Sequence, residues 1–391
     1  MNTQLDNPKK LLFVHDRLPA EGISGMIVFL RHFLRLQNWE IHILIPENAS
    51  NIEVINGYPK NFFVHTFKLR RRLWPPFREH NSFLVNVRLF LLEKAFRKIV
   101  NRIKPDVTIS VLYHYYSVVM ANLCNRIKIP FVLFLHDRWD DKTKKLKAQQ
   151  SRLYYGEKTI KKSDYIFSVT DNLVKLYLQD LNANYEVLPP IPEGYTTPIP
   201  LKKKDTLLYA GSVDQHHVRL FDQILPVLKA NNYTLVVLTN ELEKLDDLKN
   251  KHQNLDLKKS LPTNREALAF IASNASAILV NYGISEAENP DSLYSFPSKF
   301  IEYIHLEIPI ITLTPENSPF YKFLKENKWP LILEGPIVEN MSIQLGLIKD
   351  KLALDNFENI QKELVDNQYN PFQIQKRFEL VLEQLLEQKT N

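Results

Sequence analysis

The stretch Pro130-Phe131-Val132-Leu133-Phe134-Leu135-His136-Asp137-Arg138-Trp139-Asp140-Asp141 decides the fold. Five residues in a row, Phe131 to Leu135, are apolar, and of the six that follow all but Trp139 are polar or charged. A strand with one wet face alternates apolar and polar side chains. A strand covered on both faces does not, so this run reads as a central strand of a parallel sheet held between helix layers. Working outward, similar short runs recur at Lys10–His15, Glu40–Ile45, Phe62–Phe67, Asp106–Val111 and Asp164–Val169. Helical patterns lie between most of them, at Gly25–Gln37, Phe83–Ile103, Val118–Arg126, Gln149–Lys162 and Asn172–Leu181. Strand–helix alternation of this kind predicts an α/β domain.

Pro189, Pro190, Pro192, Pro198 and Pro200 then interrupt the alternation. Proline removes backbone donors and restricts the residue before it, so this stretch can continue neither a helix nor a central strand. The alternation resumes with strands expected at Thr206–Ala210, Tyr233–Leu238, Ala277–Val280, Ile308–Leu313 and Pro330–Leu333. Helices are expected at His217–Ala230, Asn264–Ser273, Pro297–His305, Pro319–Glu326, Ser342–Lys351 and Pro371–Gln388. The reading is α/β, with two Rossmann-like doubly wound domains facing a central cleft. The boundaries are residues 1–188 for the first domain, 189–204 for a proline-rich linker, 205–370 for the second domain and 371–391 for a C-terminal helix. That helix carries an apolar stripe of Ile374, Phe378, Val381, Leu382 and Leu385, suited to packing back on the first domain.

Composition narrows the classes further. The single cysteine, Cys124, can form neither an internal disulfide nor a cysteine-based zinc site. The first ten residues lack the apolar segment of a signal peptide, and the longest apolar runs fall far short of the ~20 residues of a membrane span. A cytoplasmic location is expected. Charge is uneven: residues 1–200 hold 29 Lys+Arg against 18 Asp+Glu, a net of +11, and the remainder holds 21 against 26, a net of −5. A basic first half is suited to an anionic partner such as a phosphorylated molecule or an anionic membrane surface. No helix concentrates basic residues as a basic region does, so no nucleic-acid partner is expected.

Ligands of open α/β sheets bind beyond the carboxyl ends of the strands, which directs attention to the segments just after them. After the first strand, Asp16 is followed by Gly22 and Gly25, two of only nine glycines, where a loop enters a helix. Their spacing fits neither a dinucleotide fingerprint nor a P-loop. The loop reads either as an anion-approaching turn or as a plain helix start. After the fifth strand, His136 and Asp137 could bind sugar hydroxyls or move a proton, or could simply end a strand. In the second half, Gly211 and Ser212 precede a helix, with His216, His217 and Arg219 nearby. Adjacent histidines on a helix point apart, which argues against a shared metal. The stretch Tyr294-Ser295-Phe296-Pro297-Ser298-Lys299-Phe300-Ile301-Glu302-Tyr303 puts proline at a first helical position. It also puts Ser298, Lys299 and Glu302 on one face, an arrangement that suits an anion and a ribose diol, or an ordinary surface Lys–Glu pair. No aspartates are spaced as D-x-D, so no metal or other cofactor is expected.

The segment Phe296 to Tyr303, followed by Ile308-Pro309-Ile310-Ile311, resembles the P-S-K-x-x-E-Y…P-V-I segment of GT-B glycosyltransferases, especially glycosyltransferase family 4 and relatives. Other pieces agree in order: the first glycine-bearing loop, His136-Asp137, Lys162 to Thr170, Tyr209-Ala210-Gly211, and Ser260-Leu261-Pro262 with Arg265 to Leu268. The resemblance implies transfer of a sugar from a nucleotide-sugar donor, held mainly by the second domain, to a saccharide or lipid-linked acceptor held mainly by the first. It implies that Lys299 contacts the donor diphosphate, Glu302 the ribose and His136 the donor sugar, with Gly22 and Gly25 lining the cleft. Ser298, Gly211, Ser212, Arg219 and Tyr294 complete the expected donor site. Two departures stand out. Tyr294 occupies the place of the family's second glutamate, and the Arg…Lys pair expected after Y-x-G is replaced by Ser212 and a nearby Arg219.

The resemblance to family 4 favours retention of anomeric configuration, in which no protein base is needed; in an inverting version Asp137 or Asp16 would be the general base. The competing readings are a nucleotide-sugar epimerase on the same fold and a non-catalytic GT-B-like partner protein. The expected setting is cell-envelope polysaccharide or glycolipid synthesis. Finally, Lys68 to Arg78 interleaves Arg70, Arg71, Arg72 and Arg78 with Leu73, Trp74 and Phe77, and Lys142, Lys144, Lys145 and Lys147 extend it. This basic and aromatic patch suits an anionic membrane surface, bringing the protein to a lipid-linked acceptor.

Overall fold

The architecture was obtained from a computed structural model, which describes residues 8–23, 25–68, 82–139, 146–178, 183–193 and 205–390. Arg70, Arg71, Arg72, Trp74 and Phe77 lie outside the described residues, as do Lys142, Lys144, Lys145 and the linker from 194 to 204.

The chain divides into two compact units, one of residues 1–188 with 375–391 and one of residues 189–374. The first unit runs β1 (Lys9–Val14), α1 (Met26–Arg35), β2 (Trp39–Pro46), α2 (Ile52–Asn56), β3 (Phe62–Phe67), α3 (Ser82–Ile103), β4 (Val107–Val111), α4 (Tyr115–Ile127), β5 (Phe131–Leu135), α5 (Leu146–Ile160), β6 (Tyr165–Ser168), α6 (Asp171–Tyr177) and β7 (Tyr185–Val187). Its strands form one seven-stranded sheet in the order β3-β2-β1-β4-β5-β6-β7, every pairing parallel. All five residues of β5 are buried, as an all-apolar run in mid-sheet requires.

The second unit runs β8 (Thr206–Ala210), α7 (Gln215–Ala230), β9 (Thr234–Thr239), α8 (Asp246–Lys251), β10 (Leu255–Lys259), α9 (Asn264–Asn274), β11 (Ala277–Asn281), α10 (Ser298–Tyr303), β12 (Ile310–Leu313), α11 (Pro319–Glu326), α12 (Ile337–Lys349) and α13 (Lys351–Asn367). Its parallel sheet has the order β10-β9-β8-β11-β12. The last helix, α14 (Pro371–Thr390), belongs to the first unit from Gln375 onward. There Phe378 is fully buried, 4.4 Å from the His32 ring and 5.6 Å from Phe167 between centroids. Arg377 donates to Glu186 and, at 2.7 Å, to the Val187 carbonyl of edge strand β7, and Gln375 meets His32 at 3.0 Å. These polar contacts fix the register in which the apolar stripe docks.

Several expectations need correction. Pro330–Leu333 makes only a single bridge, Thr312 to Ile332, in which the Thr312 N–H donates to the Leu331 carbonyl and the Leu333 N–H to the Thr312 carbonyl, both at 2.8 Å, while Pro330 has no N–H with which to extend it. The region from Ser342 onward is two helices, divided at Asp350, whose side chain accepts the Ala353 N–H at 2.8 Å and starts α13 afresh. Pro297 is not the first helical residue but the extended residue before it, with ψ of 104°, so α10 begins at Ser298 and has only six residues. The edge strands β7 and β10 were not anticipated. They are half-exposed, and their sequences Tyr-Glu-Val and Leu-Asp-Leu-Lys-Lys carry no all-apolar signal.

Candidate functional site

In the second unit the strand order reverses between β8 and β11, and a ligand crevice is expected beyond the carboxyl ends of those two strands. Gly211 follows β8 and extends its ladder, donating its N–H to the Leu238 carbonyl at 2.9 Å. Lys299, from α10, reaches back across this turn. Its ammonium donates to the Ala210 carbonyl and lies 5.8 Å from the centroid of the Tyr209 ring. The turn itself is closed by Tyr209, whose hydroxyl donates to the Ser212 carbonyl at 2.6 Å. A methyl group on Gly211 would collide with Lys299 Nζ and fall 3.1 Å from the Tyr209 oxygen. The bare α-carbon therefore lets the ammonium lie on the turn. Lys299 is exposed as a residue, and desolvation of its ammonium against these groups lowers its pKa to about 8.

Ser298 is exposed at the first position of α10. With six residues, that helix has little dipole to offer, and the positive charge here resides on Lys299. Glu302, one turn on, accepts the Glu193 backbone N–H at 3.0 Å, so one of its oxygens already ties down the chain leading into the second unit. Tyr294 follows a short 3-10 turn, Pro290–Leu293, and its N–H donates to the Asp291 carbonyl at 3.0 Å. Arg219 pairs with Glu288 at 3.1 Å, and the other Glu288 oxygen accepts the Ile284 N–H at 3.0 Å.

At the start of α7, the His217 N–H donates to the Asp214 backbone carbonyl at 3.0 Å, and His217 Nδ1 accepts the Asp214 N–H at 3.2 Å. This back-reach swings the His217 ring beside His216, with centroids 3.9 Å apart. The two rings thus do not point apart, and ligand atoms of Asp214, His216 and His217 lie within 4.8 Å of one another. Burial, His216 and the Lys299 charge together push His217 down to about pKa 3, keeping it neutral. A divalent cation would meet the same repulsion from Lys299.

In the first unit Gly22 and Gly25 both take left-handed backbone, φ 75° and 77°, which only glycine adopts without strain. Gly25 caps α1 beside His136; a methyl on it would come 3.8 Å from His136 Cε1. His136 Nδ1 lies 3.2 Å from Asp137 Oδ2, and Asp137 is 62% exposed. This turn is anchored by buried Trp139: its N–H donates to the Tyr177 hydroxyl and its carbonyl accepts from Arg152, both at 2.9 Å.

Asp16 is placed differently. His114 Nε2 donates to Asp16 Oδ2 at 2.7 Å, and His15 Nδ1 lies 2.8 Å from Oδ1. Burial works against ionisation of Asp16, but these imidazole contacts outweigh it and hold its carboxyl well below the usual carboxylate range. Neither His15 nor His114 was singled out from sequence. The rule that finds ligands at strand ends would have reached them, since His15 directly follows β1 and His114 lies three residues after β4.

No described protein family matches the chain, and no curated protein matches it. Solved structures do. A glycosyltransferase from Rickettsia africae ESF-5 aligns with a TM-score of 0.70 at 10% identity, covering 97% of this chain and 99% of the other. WaaG, a glycosyltransferase involved in lipopolysaccharide biosynthesis, aligns at 0.60 and 13% identity over 95% and 99%. A candidate UDP-N-acetylglucosamine 2-epimerase from Listeria monocytogenes aligns at 0.62 and 13% identity over 97% of both chains. The fold is that of the GT-B glycosyltransferases, with one Rossmann-like sheet in each unit.

Proposed function

We propose that the protein is a glycosyltransferase that moves a sugar from a nucleotide-sugar donor to a saccharide or lipid-linked acceptor, in cell-envelope polysaccharide or glycolipid synthesis. The observation that carries this reading is the Lys299 ammonium seated on Gly211, at the strand-order reversal of the second unit. Transfer requires that a leaving diphosphate be stabilised by positive charge, and a desolvated ammonium beside open backbone at a strand end is suited to that task. In this reading Ser298, Gly211 and Ser212 surround the phosphates, Glu302 and Tyr294 serve the nucleoside, and His136 with Gly22 and Gly25 serves the sugar.

We further propose that transfer retains configuration and needs no metal. Support for retention is that Asp16 is engaged by imidazoles and held ionised, and that Asp137 pairs with His136, which leaves both poor bases. Support for metal independence is the absence of a D-x-D spacing and the position of Lys299. The test is calorimetric binding of nucleotide diphosphates, followed by sugar transfer with EDTA present. Binding should be lost with Lys299→Ala, and turnover should survive chelation. Nucleotide binding unaffected by that substitution removes Lys299 from the site, and activity restored only by Mn²⁺ or Mg²⁺ removes metal independence. The epimerase reading draws on the Listeria alignment; it requires turnover of the donor alone, with no acceptor present.

Peripheral association with an anionic membrane is part of the same proposal. It rests on the sequence of Lys68 to Arg78, with about 1 kcal/mol per cation near a charged surface. No helix among the described residues is long and apolar enough to cross a membrane.

A further inference from the structure

The turn of residues 211–214, which leads from β8 into α7 and borders the Lys299 ammonium, is held at every residue. The Gly211 N–H is taken by Leu238, the Ser212 carbonyl by the Tyr209 hydroxyl and the Asp214 N–H by His217 Nδ1. Val213, between them, is held from the next strand of the sheet. Its N–H donates to Glu241 Oε2, and its carbonyl accepts from Lys244 Nζ at 2.7 Å. Glu241 Oε1 meets the same ammonium at 3.1 Å. Carboxylate and ammonium thus close a ring through both polar backbone groups of one residue. Glu241 stands two residues beyond β9, where its N–H donates to Thr239 Oγ1 at 3.2 Å. Lys244 lies in the short 3-10 turn Leu242–Leu245, which fully buried Leu245 pins to the core. Val213 is itself fully buried, so its side chain cannot touch a ligand. Ser212, just before it, is exposed, and among the described residues its N–H has no acceptor.

Stability is a weak reason for such a pair. The Lys244 and Glu241 side chains are 41% and 34% exposed, and an ion pair so placed adds little to folding. It is also neutral as a unit, so it neither adds to the positive charge of Lys299 nor cancels it. What it supplies is geometry, at the middle of a turn whose residues on either side, Ser212 and Asp214, are exposed. The His217 ring feels the charges of Lys299, Glu241 and Lys244 alike, which gathers the pair and the ammonium about one ring. A phosphate gains from Lys299 and Ser212 together only where the turn already stands in place, since a displacement of about 1 Å forfeits much of a contact. We propose that Glu241 and Lys244 are positioning residues for the diphosphate of the donor: they fix the Val213 backbone, and through it Ser212 and the seat of Lys299, before the ligand arrives. This inference rests on the reading of the turn as the phosphate site of a nucleotide-sugar donor.

The test compares Glu241→Gln and Glu241→Met in the full chain. Both remove the negative charge and both fill the space of the glutamate. Only glutamine keeps an oxygen that accepts the Val213 N–H. Calorimetric titration with UDP, GDP and ADP, well below each thermal midpoint, gives the affinity, and hydrogen exchange of the Val213 amide reports the clamp. Glu241→Gln should bind the preferred diphosphate as wild type does and keep that amide protected. Glu241→Met should release the amide to exchange and bind about tenfold to a hundredfold more weakly, as misplaced contacts do. Charge alone predicts the opposite sign, because loss of a carboxylate near an anion tightens binding in both variants. Glu241→Met binding as wild type does, or Glu241→Gln binding as weakly as Glu241→Met, overturns the positioning role and leaves the donor reading standing. A wild type that binds none of the three diphosphates overturns the donor reading, and the positioning role falls with it.

Discussion

Gly211→Ala isolates the contact on which the proposed donor site depends. Gly211 is not among the glycines with positive φ, so alanine fits the backbone, and the change acts through the added methyl alone. That methyl overlaps Lys299 Nζ. Carbon and nitrogen need a separation of about 3.5 Å, so the ammonium must slide off the turn and leave the Ala210 carbonyl. Tyr209, whose oxygen would lie 3.1 Å from the methyl, is buried and fixed by Ser212, so the flexible lysine is the group that yields. Folding should therefore change little, because the end of an exposed chain moves and no core is disturbed. Phosphate binding should change much, because a charge-assisted hydrogen bond is worth about 1.5–3 kcal/mol, or about tenfold to a hundredfold in affinity. The assay is calorimetric titration with nucleoside diphosphates in wild type, Gly211→Ala, Lys299→Ala and the double variant. The two single losses should be similar, and the double variant should lose no more than either, since both remove the same contact. A Gly211→Ala protein that binds as wild type does, while Lys299→Ala fails, would refute the argument that the bare α-carbon seats the ammonium.

The same ammonium sets a pH dependence. Lys299 is charged below its pKa of about 8 and neutral above it, so nucleotide diphosphate affinity should hold at lower pH and fall, by up to about tenfold per unit, as pH rises past that value. Lys299→Ala should be flat across that window. Stability of the unliganded protein runs the other way: the folded state binds fewer protons than the unfolded one between about pH 8 and the ordinary lysine value, so this group's contribution grows with pH there. Phe378→Ala empties a fully buried site against His32 and Phe167 and should cost about 3–5 kcal/mol, seen as a lower thermal midpoint with nucleotide binding retained in the cold. In vesicle co-sedimentation the protein should pellet with anionic but not neutral lipid, release with salt, and lose binding when Arg70, Arg71 and Arg72 become serine; equal binding to neutral vesicles would dismiss the membrane reading.

What the sequence determined by itself was local in origin. The all-apolar run Phe131–Leu135 declared a strand buried on both faces, and every residue of it is buried. Gly22 and Gly25 marked the place where a loop enters a helix, and α1 starts directly after Gly25. Each of these depends on φ/ψ preference or on the pattern of neighbouring residues, which the sequence carries directly. Edge strands carried no such signal. β10 pairs only with β9, and its exposed side takes aspartate and lysines freely, so nothing in Leu255 to Lys259 demanded a strand.

Tertiary structure alone decided which distant groups meet. Lys299 rests on a glycine 88 positions earlier, and His114 bonds a carboxylate 98 positions away. Arg219 stands close after Gly211 in the chain, and the structure pairs it with Glu288, 69 positions on. Glu302 shares a helix face with Lys299, but its carboxylate holds the Glu193 N–H. The physical reason is that a hydrogen bond or ion pair forms wherever partners of fitting charge come within about 3 Å. Sequence spacing controls that distance only within a turn or two of helix. Beyond that, strand order controls it. The reversals between β8 and β11 and between β1 and β4 bring together loops that lie far apart along the chain.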